Sequence, residues 1–109
     1  MTAVIEKRWQ DRQWIATEKP GLDYSALRPH PSGGATFFLR FASGAVGGAH
    51  THPAGEELYV VSGDITVGGK RLRTGDYLYT PPDIKHAASS EGGCVFLVTL
   101  PKPVEFLEG

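Results

Sequence analysis

An all-β fold, a small antiparallel sandwich or barrel, is what this chain of 109 residues predicts. Three observations carry the prediction. The chain holds 14 glycines and 8 prolines, which favours many short strands and turns over long helices. Short apolar runs follow one another closely, and Gly, Pro, Asp or Ser punctuates each of them. No stretch of the length of a typical helix repeats its apolar positions with a helical period.

The elements can be taken in order. Residues 1–33 look loosely organised, with Trp9, Trp14 and Ile15 placed to anchor an edge strand. "EKPGLDY" reads as a turn centred on Pro20-Gly21, and "RPHPSGG" as a loop that carries His30 between prolines. "ATFFLRFA" is a strand rich in aromatics. Phe37, Leu39 and Phe41 alternate there with Phe38 and Arg40, so the first three are expected in the core and Arg40 on the surface. "GAHTH", "EELYVVSG", "DITVGG", "KRLRTG", "DYLYTPP", "KHAASS" and "GCVFLVTL" complete the set of short strands. Gly63-Asp64 and Gly68-Gly69 are expected as hairpin turns within a meander. Tyr59 alternates with Leu58 and Val60 and is expected to face outward. Cys94 opens the last strand and is expected as a small buried hydrophobe.

The length is enough for one domain and not two. Its barrel core is expected at about 35–100, with 1–34 as an N-terminal arm or edge strands. Trp9, Trp14, Ile15 and Leu22 have no evident core of their own, and small β-barrels have edges to cover. The arm is therefore expected to pack on, or add a strand to, a second copy in a homodimer.

Eleven basic residues face twelve acidic ones, which leaves no electrostatic footprint for a nucleic acid. No basic run points to a membrane surface, and "CVFLVTL" is too short to span a bilayer. The start, "MTAVIEKRWQDRQW", lacks the apolar region of a secretory signal. One cysteine fits a reducing compartment. A cytoplasmic protein is expected.

The chemistry concentrates in "GAVGGAHTHPAGEELYVVSG", residues 44–63. On a strand, His50 and His52 share a face, roughly 6.5–7 Å apart along it. Glu56 enters the next strand after a short connection, and strand alternation turns Glu57 to the opposite face. Gly47 and Gly48 let the backbone bend or bulge where the side chains must converge. Two imidazoles and a carboxylate form a partial coordination sphere. Of the two remaining histidines, His86 opens a strand, and beside the His50 strand it would complete a site of three histidines and one carboxylate.

These residues resemble the cupin superfamily. Its first motif, G(X)5HXH(X)3–4E(X)6G, is met at every fixed position by Gly44, His50, His52, Glu56 and Gly63. Its second, G(X)5PXG(X)2H(X)3N, is met by Gly75, Pro81 and His86, with Asp83 in place of the glycine and Ser90 in place of the asparagine. The stretch over about residues 35–100 is similar to the cupin-like domain of ChrR-type anti-sigma factors and their stand-alone relatives. The resemblance implies a double-stranded β-helix, a jelly-roll barrel with the metal inside, and in that family the matching three histidines and glutamate bind zinc. The anti-sigma proteins also carry a separate zinc domain with paired cysteines, and this sequence has one cysteine, so sigma-factor binding is not expected.

One divalent transition metal per chain is therefore expected at His50, His52, Glu56 and His86. Zinc comes first, with Fe, Mn, Ni or Co as the other ions such ligands suit. Glu56 could also leave the ion and act as a base. Small residues before His50 and after His86 leave room above the ion, with Tyr77, Tyr79, Phe96 and Val98 as the expected walls of a small-molecule pocket. The function expected is to bind or transform a small molecule. As an enzyme, the chain would be a dioxygenase-like cupin; otherwise it would be a non-catalytic sensor or ligand-binding module.

Overall fold

A computed structural model describes residues 3–102 and 105–106. A single turn of 3-10 helix, Trp9–Asp11, precedes ten strands. These are β1 (Ile15–Ala16), β2 (Leu22–Pro29), β3 (Ala35–Phe41), β4 (Val46–Thr51), β5 (Glu56–Val67), β6 (Lys70–Arg73), β7 (Tyr77–Thr80), β8 (His86–Ser89), β9 (Cys94–Leu100) and β10 (Glu105–Phe106). Among the described residues no helix is long and apolar enough to cross a membrane.

All pairings are antiparallel, and they form one curled sheet in the order β1-β2-β3-β9-β5-β8-β4-β10, with β6 and β7 also on β5. The sheet folds into two layers that share β5. The first half of β5 pairs with β7 and β9, and the second half with β6 and β8. This is a jelly-roll barrel, the all-β architecture expected.

Two sequence expectations change here. Gly63-Asp64 is not a hairpin turn, because β5 runs through it. Gly63 has φ +86, and an added Cβ would lie 2.1 Å from the Gly93 carbonyl oxygen. The glycine lets β5 pass from one layer to the other under the β9 entrance, a bend that any larger residue would block. Gly68-Gly69 is the expected turn, with φ +56 and +81 between the paired residues Val67 and Lys70.

The second change concerns the arm. "LDYSALRP" is a full eight-residue strand, paired along β3 from Leu22↔Phe41 to Pro29↔Ala35. It lacks a run of β-branched residues, so its pairing with an aromatic-rich neighbour makes it a strand. Ile15 does anchor an edge strand, on β2. The two tryptophans pack on their own chain. Trp9 meets Phe38 edge-on at 5.6 Å, and the Arg40 guanidinium lies 4.3 Å from the Trp14 ring centroid. Arg12 stacks between Trp9 and Phe38, at 4.0 and 4.2 Å. The segment thus covers the outer face of β2 and β3, which explains why Ser25 there is buried.

The core lies between the layers. Phe41, Leu58, Val60, Ile65, Val67, Cys94, Phe96, Val98 and Leu100 are its buried members. Burial along β9 alternates strictly, with Cys94, Phe96, Val98 and Leu100 inside. Burial pushes the Cys94 thiol up, which keeps it protonated and unreactive.

Candidate metal centre and cavity

Three strands and the connection after β4 bring four side chains together: His50 lies on β4, His52 one residue past its end rather than on the strand, Glu56 at the start of β5 and His86 at the start of β8. Along β5, Glu56, Leu58 and Val60 are buried, while Glu57 and Tyr59 are exposed. The parity expected from the sequence therefore holds, and Glu56 points inward. His50 and His86 face each other across β4 and β8. The pairing of these strands slips between Gly47 and His50, one residue of β4 being left over. The slip falls where Gly47 and Gly48 were expected to allow a bulge.

The bulge has a chemical consequence. It brings the Gly48 carbonyl 2.7 Å from His50 Nδ1. A carbonyl only accepts, so Nδ1 carries the proton and Nε2 is left as the lone-pair donor of that ring. Such a contact orients a metal-binding imidazole. The sequence named Gly48 for its flexibility but could not show its carbonyl beneath the ring.

The three imidazole rings lie 4.8 to 4.9 Å apart, centroid to centroid, and each offers a nitrogen within 4.8 Å of the others. Glu56 closes the group, with carboxylate oxygens 3.1 Å from His52 Nε2 and 3.9 Å from His86 Nε2. His52, Glu56 and His86 are all buried. His52 Nδ1 is buried with no hydrogen-bond partner among the described residues. Desolvation holds His50 below its ordinary pKa, helped by the nearby His52 and opposed by the Gly48 hydrogen bond and by Glu56. His86 is lowered as well, again first by desolvation, with Glu56 opposing. Both are neutral near pH 7 and keep lone pairs available.

The donor set fits a transition metal. Nitrogen ligands of a tetrahedral ion at about 2.0–2.1 Å stand roughly 3.4 Å from one another, so small side-chain rotations would close the group around an ion. Three nitrogens and a carboxylate suit zinc and its first-row neighbours. His30 takes no part; its ring makes a 2.8 Å hydrogen bond with Thr36 Oγ1.

The cluster opens on a cavity of about 710 Å³. Phe96 lines it, as expected. Val98 is fully buried in the core and does not border the cavity. Tyr77 and Tyr79 do not line it either. They stand opposite Tyr59 and Glu57, the outward positions of β5, and are 56% and 53% exposed. The reason is strand parity, which turns Leu78 and Thr80 inward instead. Phe37, Leu39 and Phe41, expected as core, supply much of the wall together with Leu58. Gly47, Gly48 and Ala88 border it too, so the small residues flanking the histidines do leave space. The turn Thr17–Lys19 also contributes and was not foreseen as part of the site. Its signal was a polar Thr-Glu-Lys run beside Pro-Gly, which reads equally well as an ordinary surface turn. In the structure Thr17 Oγ1 donates to the Leu22 carbonyl at 2.8 Å and ties the turn to β2.

The sequence matches the family described as the ChrR cupin-like domain over residues 3–103. The chain belongs to this cupin family. Among solved structures, an RmlC-like cupin from Shewanella frigidimarina is similar at 26% identity and TM-score 0.73, covering 85% of this chain and 86% of that one. The anti-sigma factor ChrR of Rhodobacter sphaeroides, solved in complex with SigE, is similar at 22% identity and TM-score 0.73. That match covers 85% of this chain and 50% of ChrR. An acetylacetone dioxygenase from Acinetobacter johnsonii shares the fold at TM-score 0.85 and 15% identity, covering 99% of this chain and 79% of that one. No curated protein matches the sequence significantly. The cupin family gives the Asp83 departure a physical meaning. Asp83 is the one non-glycine residue with positive φ among those described, at 66°. The position keeps the left-handed backbone that the motif's glycine serves, and aspartate tolerates it. Ser90, at the asparagine position, is buried and donates to the Asp64 carbonyl at 2.6 Å.

Proposed function

We propose that this cupin holds one divalent transition-metal ion through His50, His52, Glu56 and His86 and uses it to anchor a small molecule in the adjoining cavity. The observation that carries the reading is the convergence of three histidines and a buried carboxylate at the edge of an apolar space. Three of the donors are buried, which costs stability unless they are partnered, and an ion would partner all four. Zinc is the first choice, in keeping with the resemblance to ChrR-type domains; iron, manganese, nickel and cobalt suit the same ligands. When bound, the ion supplies a Lewis acid for an oxygen-bearing ligand. The chain supplies neutral His50 and His86 as ligands, the Gly48 carbonyl that orients His50, and Glu56 as a fourth ligand or, once displaced, a base.

Cobalt-substituted protein tests the anchor. Its visible spectrum should shift when azide, acetate or a β-diketone is added. An unchanged spectrum with cobalt bound would leave the ion as a structural staple.

The family match favours a second reading, a non-catalytic zinc module that senses or binds a ligand. Turnover separates the two, and dioxygenase chemistry is the reaction to try first with iron. A homodimer is also proposed, with the outer tyrosine face as a contact. Tyr59, Tyr77 and Tyr79 are 45%, 56% and 53% exposed side by side on β5 and β7. A light-scattering mass of one chain at micromolar concentration would reject it. The cytoplasm is the proposed location, with neither nucleic acid nor sigma factor as a partner.

A further inference from the structure

The dimensions of the cavity say more about its ligand. Resting on the metal-anchored reading above, we propose that the cavity takes an elongated apolar acid: a hydrocarbon body along the aromatic wall, with a carboxylate or enol head at the histidine-glutamate cluster.

About 710 Å³ lies within the roughly 300–1,000 Å³ of sites for drug-sized molecules. A metal ion with a few waters, at roughly 30 Å³ for each water, would fill a small part of it. A short chelator such as a five-carbon diketone would leave most of the apolar wall against water.

Polarity sits at the two ends of the cavity. The charged residues that border the cavity are Glu56 in the cluster and Glu18 and Lys19 in the β1–β2 turn. Between them runs a wall that includes Phe37, Leu39, Phe41 and Phe96. Strand register places the two polar regions at opposite ends. Leu22, which follows the turn, pairs with Phe41, and Phe41 pairs with Cys94 at the start of β9. Glu57, beside Glu56, pairs with Thr99 near the end of β9. From Cys94 to Thr99 is 99 − 94 = 5 residues, or roughly 17 Å along the strand. An ion at the cluster would stand roughly 2 Å from its protein ligands and roughly 2 Å from the oxygen of the head, which leaves roughly 13 Å; an extended chain advances roughly 3.5 Å per three bonds, so about eleven bonds, an acid of about twelve carbons, fill that length.

β1 and β10 end the sheet and are not paired with each other among the described residues, so no hydrogen-bonded seam closes the barrel on that side. Ala26, on β2, is exposed and also borders the cavity, which puts it at the opening.

Calorimetric titration of butanoate, octanoate, dodecanoate and tetradecanoate into zinc-loaded and metal-free protein tests the inference. With zinc, the dissociation constant should fall by about fourfold per methylene and level off near dodecanoate. Metal-free protein should keep that chain-length dependence with weaker binding throughout. Ala26→Trp should weaken dodecanoate binding at least about tenfold, the loss of two or so buried methylenes, and leave zinc content unchanged. Lys19→Trp, at the far end, should move the levelling-off to a shorter acid. Equal affinity for all four acids with zinc bound would overturn the inference. So would a chain-length dependence that neither tryptophan alters, because the acids would then bind elsewhere. Failure of zinc to bind, with the chain-length dependence intact, would instead overturn the metal anchor and the placement of the head.

Discussion

Glu56 and Glu57 are neighbours in sequence and opposites in chemistry. One is buried against His52 and His86, while the other is exposed and accepts a hydrogen bond from the Tyr77 hydroxyl at 2.8 Å. Glu56→Gln should weaken metal binding by roughly tenfold to a hundredfold, and Glu57→Gln should leave it unchanged, as read by competition with a chromogenic chelator. The reverse result would mean a shifted strand register. His50 and His86 give the site its pH dependence. Desolvation, the largest cause for each, holds both below the ordinary value of 6.5. Protonation then favours the unfolded chain, so metal-free protein should keep full stability above that value. It should lose stability as pH falls through it, and metal affinity should fall in the same direction. Melting temperatures of metal-free protein from pH 8 to pH 5 check this, and a rise on acidification would contradict it. At Asp83 the backbone conformation, with φ 66°, sets what the position can hold. Asp83→Gly should change stability by less than about 0.5 kcal/mol, relief of strain offsetting the added freedom of the unfolded chain. Asp83→Val should cost about 1–2 kcal/mol.

At the scale of elements, β5 carries the architecture and half of the site's logic. It belongs to both layers and turns between them at Gly63. Gly63→Ala should cost about 2–3 kcal/mol, because its Cβ would meet the Gly93 carbonyl, and urea unfolding would measure the loss. Wild-type stability in that variant would mean that β9 can shift to make room. Legibility divides here in the same way. Local pattern was enough for β3, β7, β8 and β9, for the inward turn of Glu56 and for the bulge after Gly47. It failed for β2, whose strand character comes from its partner β3. It failed also at Gly63-Asp64, where a turn-like dipeptide serves a bend within a strand. Tyr77 and Tyr79 were assigned to one face correctly, but the sequence alone could not say which face was inside. Their pairing with Tyr59 and Glu57 decides that.

For the molecule as a whole, the cluster of three histidines and a glutamate was readable because the cupin spacing preserves strand parity and the turn between β4 and β5. The cavity was readable only in part, at Phe96 and the small residues beside the histidines, since the rest of its wall is assembled from β2, β3 and a turn far apart in the chain. The meeting of three buried donors and the half-buried His50 beside that cavity is the feature that unites fold and function, and an ion held there should stabilise the folded state in proportion to its affinity. The most direct measurement is the metal content of protein purified without added metal, repeated under anaerobic conditions, for the wild type and His52→Ala. The expected result is one transition-metal ion per wild-type chain and little or none in the variant, with the folded structure of both verified by circular dichroism. A wild-type chain that binds no metal even when it is supplied, or a His52→Ala variant that keeps its full complement, would contradict the central claim.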